Sequence, residues 1–206
     1  MSRRSPERPK RKSGPGAQET GELRLIGGRW RSRKLTFPAV DGVRPTPART
    51  RETLFNWLAP CIEGACCLDL FAGSGALGLE ALSRGAAQVT LVDRSRDLSR
   101  ALRMNLSLLG GDSGEVICNS AEAYLSLKPT RPWDIIFLDP PFRQGWLDQI
   151  LPRLYNDEWV KPGGWIYAEQ ESEARLPGMP AGWMLHREKT AGQVRYLLIR
   201  SPREEL

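Results

Sequence analysis

Histidine occurs once in the 206 residues, as His186, and none of the four cysteines, Cys61, Cys66, Cys67 and Cys118, belongs to a C-x-x-C pair. Neither a metal centre nor a disulfide framework is expected of such a chain. With no nucleophile and no Cys/His cluster beside it, His186 reads as an ordinary strand residue, and Cys66 and Cys67 read as small buried hydrophobes. No apolar run approaches the length of a membrane span, and no charged-then-apolar leader with a small-residue cleavage site is present. A soluble cytoplasmic protein is expected, with one core of ordinary size plus a modest extension rather than two full domains. There is no internal repeat.

Positive charge is unevenly spread. Residues 1–51 hold 14 Lys/Arg against 4 Asp/Glu, which leaves 16 against 20 for residues 52–206 out of 30 and 24 in all. The net charge of +6 is therefore a basic N-terminal quarter attached to a mildly acidic domain, the arrangement of an arm for a polyanion. Residues 1–21, rich in Pro, Ser, Gly and charge, cannot form a core and are expected to be a disordered basic tail.

Beyond the tail, "ELRLIGGRWRSRKLTFP" (22–38) reads as two strands around Gly27-Gly28, with cationic and apolar residues alternating in the second. Leu54, Phe55 and Leu58 lie at helical spacing in "RPTPARTRETLFNWLAP" (44–60), with arginines at its start. The stretch 22–60 thus forms a small basic extension of hairpin and helix. From residue 61 to 206 strand and helix patterns alternate, beginning with "ACCLDLF" and "QVTLVD" and closing on a pair around Thr190-Ala191-Gly192. The expected fold is α/β, a Rossmann-like doubly wound, mostly parallel seven-stranded sheet with a C-terminal antiparallel hairpin.

Two segments carry chemistry. "LDLFAGSGALGLE" (68–80) sets Gly73, Gly75 and Gly78 in G-x-G-x-x-G spacing between a strand and a helix, and Asp93 ends the next strand. That spacing serves nicotinamide dinucleotides and S-adenosylmethionine alike. Asp69, just upstream, favours the second: an ammonium group welcomes a carboxylate where a pyrophosphate is repelled. In "IIFLDPPFRQG" (135–145) a fully apolar strand ends on Asp139, locked by Pro140 and Pro141 and followed by Phe142. Open α/β sheets bind ligands at that edge.

These motifs resemble the Rossmann-like S-adenosylmethionine-dependent methyltransferases, in which D/N-P-P-F/Y marks methylation of an exocyclic amino group on a nucleobase. Asp139, Pro140, Pro141 and Phe142 fill the signature. "RLIGGRWRSRKL", "RPT", "RETLFNWLAP", "LDLFAGSGALGLEALSRGA" and "HREKTAGQV" look like the RsmD family, over about residues 22–200. The resemblance implies methyl transfer from S-adenosylmethionine to N2 of one guanine of 16S ribosomal RNA, within an assembled or nearly assembled small (30S) subunit, by an enzyme expected to be monomeric. Pro47, Ala48 and Ser120 depart from the family's usual residues.

On this reading Asp139 and the Pro140 carbonyl accept the two hydrogens of the amine, the prolines stiffen the loop, and Phe142 stacks on the extruded base. The cofactor residues are Asp69 at the ammonium, Phe71, Ala72, Gly73, Ser74 and Gly75 along the loop, Asp93 and Arg94 toward the ribose, and Ser120 and Ala121 at the adenine. Arg29, Trp30, Arg31, Arg33, Lys34, Arg44, Arg49 and Arg51 are the RNA-binding candidates. The D-P-P-F motif equally fits a DNA adenine-N6 or cytosine-N4 methyltransferase, but the chain has no room for a separate recognition domain. A nicotinamide-dependent oxidoreductase leaves that motif unexplained. A non-catalytic ribosome assembly factor that kept the fold is the third class.

Overall fold

The apolar runs settle into one seven-stranded sheet and a separate two-stranded hairpin. The computed structural model describes residues 20–40 and 45–203; the expected tail up to residue 19, and Arg44, lie outside the described residues. In chain order the elements are β1 (Thr20–Arg24), β2 (Lys34–Pro38), α1 (Ala48–Leu58), β3 (Cys66–Asp69), α2 (Gly78–Ser83), β4 (Gln88–Asp93), α3 (Arg96–Leu109) and β5 (Gly114–Cys118). They continue with α4 (Ala121–Leu125), β6 (Trp133–Leu138), α5 (Trp146–Asn156), β7 (Val160–Glu171), β8 (Met184–Ala191) and β9 (Val194–Arg200).

Strands of the large sheet run in the order β5-β4-β3-β6-β7-β9-β8. The first five are mutually parallel, and β9 lies antiparallel between β7 and β8. The Rossmann-like fold read from the sequence is therefore the one observed. Chain order reverses between β3 and β6, so the crevice at the C-terminal ends of those two strands is where this topology places a ligand.

Strand parity distributes the core. Along β6, Ile135 and Phe137 join the cluster beneath α1, α2 and α3, while Ile136 and Leu138 join the one beneath α4 and α5, as a two-residue period requires. Each fully buried leucine or phenylalanine in these layers contributes roughly 1.5–3 kcal/mol. The α3 termini are written locally: the Ser95 hydroxyl accepts the Leu98 N–H at 3.3 Å, and Gly110 closes the helix in the left-handed conformation at φ 61°.

Two expectations for the N-terminal segment change. Thr20 and Gly21 are already strand, not tail. Arg24 pairs with Lys34 across the hairpin, so residues 25–33 connect the strands, with Gly28–Trp30 as a 3-10 turn. The cationic residues hence lie in the connection, and of the expected set only Lys34 stands in β2. Gly27-Gly28 serves a different purpose from a tight hairpin turn: Gly28 takes φ +71° with its Cα side against Ser83, where a Cβ would come within 1.8 Å of the backbone oxygen. The connection is pinned to α2, since Trp30 N–H donates to Ser83 Oγ at 3.0 Å and Ser83 Oγ donates to the Gly27 carbonyl at 2.5 Å.

Candidate active site

Parity and register assemble the centre of the site. Asp69 of β3 lies opposite Phe137 of β6, which lies opposite Tyr167 of β7. One step further along, Asp139 emerges from β6, and two residues after Tyr167 stands Glu169. Three carboxylates from three adjacent strands thus line one cleft of about 1140 Å³ at the topological switch point.

Burial sets their protonation. Loss of water pushes the Asp69 carboxyl up to about 7, opposed by the Gly78 N–H and more weakly by that of Phe71, and reinforced by the neighbouring Asp139 and Asp93 charges. Asp139 is raised to about 6, again by burial first, with the Thr46 hydroxyl pulling it back. Glu169 is raised well above the ordinary range by burial and by the Asp139 charge, and the Tyr167 hydroxyl donates to its Oε1 at 2.9 Å. Acidic groups buried close to one another hold part of their charge as bound protons.

The glycine loop is shaped around Asp69. Gly78 N–H donates to Asp69 Oδ2 at 3.0 Å, while Asp69 Oδ1 is buried without a partner. Gly75 sits at φ +83°, and a Cβ there would fall 2.6 Å from Leu102 Cδ2, so glycine is required for the turn to pass over α3. At the next strand end Asp93 Oδ2 accepts the Gly73 N–H at 2.8 Å and Asp93 Oδ1 accepts the Ser95 N–H at 2.7 Å. Asp93 therefore ties the loops after β3 and β4 together, and each oxygen retains a second lone pair. Phe71, Ala72, Gly73, Ser74, Arg94, Ser120 and Ala121 all line the same cleft, and Ser120 Oγ caps α4 by accepting the Ala123 N–H at 3.2 Å.

A cationic cofactor with an amino-acid end fits these residues. The orphaned Asp69 Oδ1 is a buried acceptor awaiting a donor, and a cation among the three carboxylates would return their protonation toward ordinary values. Among the described residues no group of three or more His, Cys, Asp and Glu side chains is arranged to hold a metal ion.

Beyond Asp139 the chain leaves the sheet abruptly. Pro140 is buried, Pro141 is exposed, and Phe142 is 41% exposed at the rim of the cleft, so its ring has a free face. Arg143 follows at φ 60°, its N–H donating to Glu171 Oε1 and tying the loop to the end of β7. Phe71 meets Trp146 edge-on with centroids 5.5 Å apart, and both rings line the cleft.

The basic candidates divide. Arg29, Arg31, Arg33, Lys34 and Arg49 are exposed. Arg51 is not: at 3% exposure its Nη1 pairs with Glu80 Oε2 at 3.2 Å, its Nη2 donates to the Arg24 carbonyl at 2.8 Å and its Nε to the Thr46 carbonyl at 3.0 Å. Every donor direction is turned inward, and the side chain is a buried post between hairpin, α1 and α2. Trp30 is likewise buried, with the Arg29 guanidinium 4.2 Å over its ring, which leaves it no face for a base. The exposed arginines of the turn also stand away from the cleft. Arg33 Nη2 donates to the Leu108 carbonyl near the C-terminus of α3, whereas Leu98 in its first turn lines the cleft; at about 1.5 Å per residue the separation along the helix is about 15 Å.

Thr46, Tyr196 and Glu169 complete the cleft, with Tyr167 behind Glu169, and none of the four was read from the sequence as a site residue. Thr46 was signalled only as part of "RPT"; the others sit in strands whose apolar neighbours mask them. His186 is exposed on β8 and packs edge-on against Trp165; it is the extra residue of a bulge between Leu185 and Arg187 rather than the ordinary strand residue expected.

Comparison with known proteins agrees with this geometry. Residues 23–200 match the family described as Conserved hypothetical protein 95. The chain is 51% identical over 184 residues to ribosomal RNA small subunit methyltransferase D of Escherichia coli (strain K12), covering 89% of this chain and 92% of that protein. The solved structure of Escherichia coli YhhF superposes with a TM-score of 0.84 at 48% identity, over 89% of this chain and 100% of that one. An RNA methyltransferase from Salinibacter ruber, solved in complex with S-adenosyl-L-homocysteine, shares the fold at a TM-score of 0.60 and 16% identity, over 79% of this chain and 96% of that one. The chain belongs to the Conserved hypothetical protein 95 family, that of the ribosomal RNA small subunit methyltransferase D proteins.

Proposed function

We propose that this protein methylates the exocyclic N2 amine of one guanine in 16S ribosomal RNA of the small subunit, with S-adenosylmethionine as methyl donor. The observation that carries the reading is the end of β6: Asp139, half-open to the cleft and raised to about 6, backed by a rigid proline pair. Membership of a methyltransferase family and the likeness to an enzyme named for small-subunit ribosomal RNA support the substrate class.

Asp69 would hold the ammonium group through its unpartnered Oδ1, the Ala72–Gly75 backbone would lie along the cofactor, and Asp93 and Ser120-Ala121 would meet ribose and adenine. When bound, S-adenosylmethionine supplies an already activated methyl group whose leaving group is a neutral thioether. The protein's task is alignment. A guanine N2 lone pair is delocalised into the ring; the Asp139 carboxylate and the Pro140 carbonyl, by accepting its two hydrogens, aim the nitrogen and let it pyramidalise. As positive charge grows on nitrogen Asp139 stabilises it and takes up the proton. Phe142 stacks on the extruded base, worth about 1–3 kcal/mol, against the few kcal/mol that flipping costs.

Arg29, Arg31, Arg33 and Lys34, exposed and outside the cleft lining, would then grip phosphates at a second place.

The test is transfer of labelled methyl from S-adenosylmethionine to unmodified small subunits, naked 16S RNA and duplex DNA, with wild type and Asp139→Ala. Label recovered as N2-methylguanine at one position, lost in the variant by about 10²-fold or more, is expected. Label entering DNA or another base instead would overturn the substrate assignment.

A further inference from the structure

A second, smaller cavity of about 210 Å³ adjoins the cleft, between α1 and the tip of the β8–β9 hairpin. Trp57 and Leu54 furnish apolar lining, Thr50, Thr53 and Thr190 furnish hydroxyls, and Arg49 and Lys189 stand at it with their charges. Ala191 and Tyr196 line both this cavity and the main cleft, so the two are consecutive compartments sharing one wall. That wall is held: Thr50 Oγ1 donates to Tyr196 OH at 3.1 Å, and the Tyr196 ring stacks on Tyr167 at an interplanar angle of 8°.

We propose that this cavity seats the nucleotide adjacent to the target guanine in the RNA strand, its base against Trp57 and its phosphate between Arg49 and Lys189. The inference rests on the RNA-methylation reading and adds to it a subsite for substrate. Its size is below the roughly 300–1,000 Å³ of pockets for drug-sized ligands, which selects one ring system rather than a second cofactor. Among the described residues neither Arg49 nor Lys189 is paired with a carboxylate, and Lys189 Nζ reaches only Thr53 Oγ1, at 3.4 Å. Two unpaired cations beside an aromatic ring and three hydroxyls match the chemistry of a single-stranded nucleotide, whose base stacks while its phosphate is neutralised. A flipped target base drags its neighbours along the backbone, and the shared wall at Tyr196 is where the adjoining residue must be received.

The experiment measures kcat and KM for methyl transfer to unmodified small subunits, with S-adenosylmethionine affinity determined separately for each protein. Arg49→Ala/Lys189→Ala removes the charges, and Thr53→Phe fills the cavity while keeping both cations. The proposal expects KM for the subunit to rise about tenfold in each, with kcat and cofactor affinity unchanged, and the salt dependence of KM to weaken by about one to two phosphate contacts in the double variant only. Trp57→Ala should raise KM at least about fivefold. A rise confined to the charge variant, with Thr53→Phe behaving as wild type, would mean a surface patch and no nucleotide in the cavity, and would overturn the proposal. Normal KM in every variant overturns it as well. Failure of the underlying reading is distinct: the wild type would then transfer no methyl to any ribosomal RNA.

Discussion

Thr46 Oγ1 donates to Asp139 Oδ2 at 3.2 Å, joining residues 93 positions apart. The hydroxyl stabilises the ionised carboxylate, the form that accepts the hydrogens of an amine, against the burial that raises its pKa to about 6. With the cofactor's positive charge bound beside it Asp139 ionises below about 6, so kcat should fall only on the acid side of that pH. Thr46→Val deletes a downward influence, so the acidic limb of the kcat profile is expected to move to higher pH, with the loss greatest at the acid end and near-normal rates at pH 8.5. An unshifted limb would show that Thr46 does not act through Asp139.

Asp69 strains the folded protein until a cation arrives. Its carboxyl ionises near 3.8 when unfolded but near 7 when folded, so the unfolded chain sheds its proton first as pH rises. The penalty starts near pH 4, grows to pH 7 and is constant above, with a ceiling of about 4 kcal/mol at about 1.4 kcal/mol per unit. Asp69→Asn should be more stable than wild type at pH 8 and lose that advantage toward pH 4, while binding S-adenosylmethionine far more weakly. Guanidinium midpoints across that range check the first statement and calorimetric titration the second. Parallel pH profiles for the two proteins would contradict it.

Arg51 belongs to the scaffold. Glu80 is fully buried and receives Arg51, the Arg84 Nε at 2.8 Å and the Ile26 N–H at 2.9 Å. Arg51→Ala removes one partner of a buried pair and is expected to cost about 3–5 kcal/mol, seen as a lowered denaturation midpoint. Arg49→Ala, two residues earlier and exposed, should leave the midpoint within about 0.5 kcal/mol.

The turn arginines are exposed and do not line the cleft. Arg29→Ala/Arg31→Ala should lower affinity for the small subunit and flatten its salt dependence, the slope falling by about one for each phosphate that is no longer neutralised, with kcat at saturating substrate unchanged. A reduced kcat would show that the turn also helps to shape the cleft.

How far the site could be read in advance depended on the range of each interaction. The glycine loop and "LDPPF" are legible because turn geometry and strand termination are local, carried by Gly75 with its positive φ and by two prolines. Glu169 was missed because "YAEQ" offers no local sign that its carboxyl is buried beside Asp139. The arginines misled in the opposite direction. Arg49 and Arg51 look alike in sequence, yet one faces solvent and the other is enclosed, since a helix turns about 100° per residue and the partner that decides inside from outside, Glu80, arrives from another helix.

By itself the sequence determined the alternation of strands and helices, the glycine turn beneath Asp69, and the charged end of β6, all consequences of periodicity and backbone sterics within a few residues. Tertiary structure alone decided which groups meet: register across β3, β6 and β7 placed three acids in one cleft, and the packing of α1 and the hairpin sorted the arginines into a buried post and an exposed set. Such pairings are long-range, and burial changes the protonation of a carboxylate or the purpose of a guanidinium without leaving any mark on its neighbours in the chain.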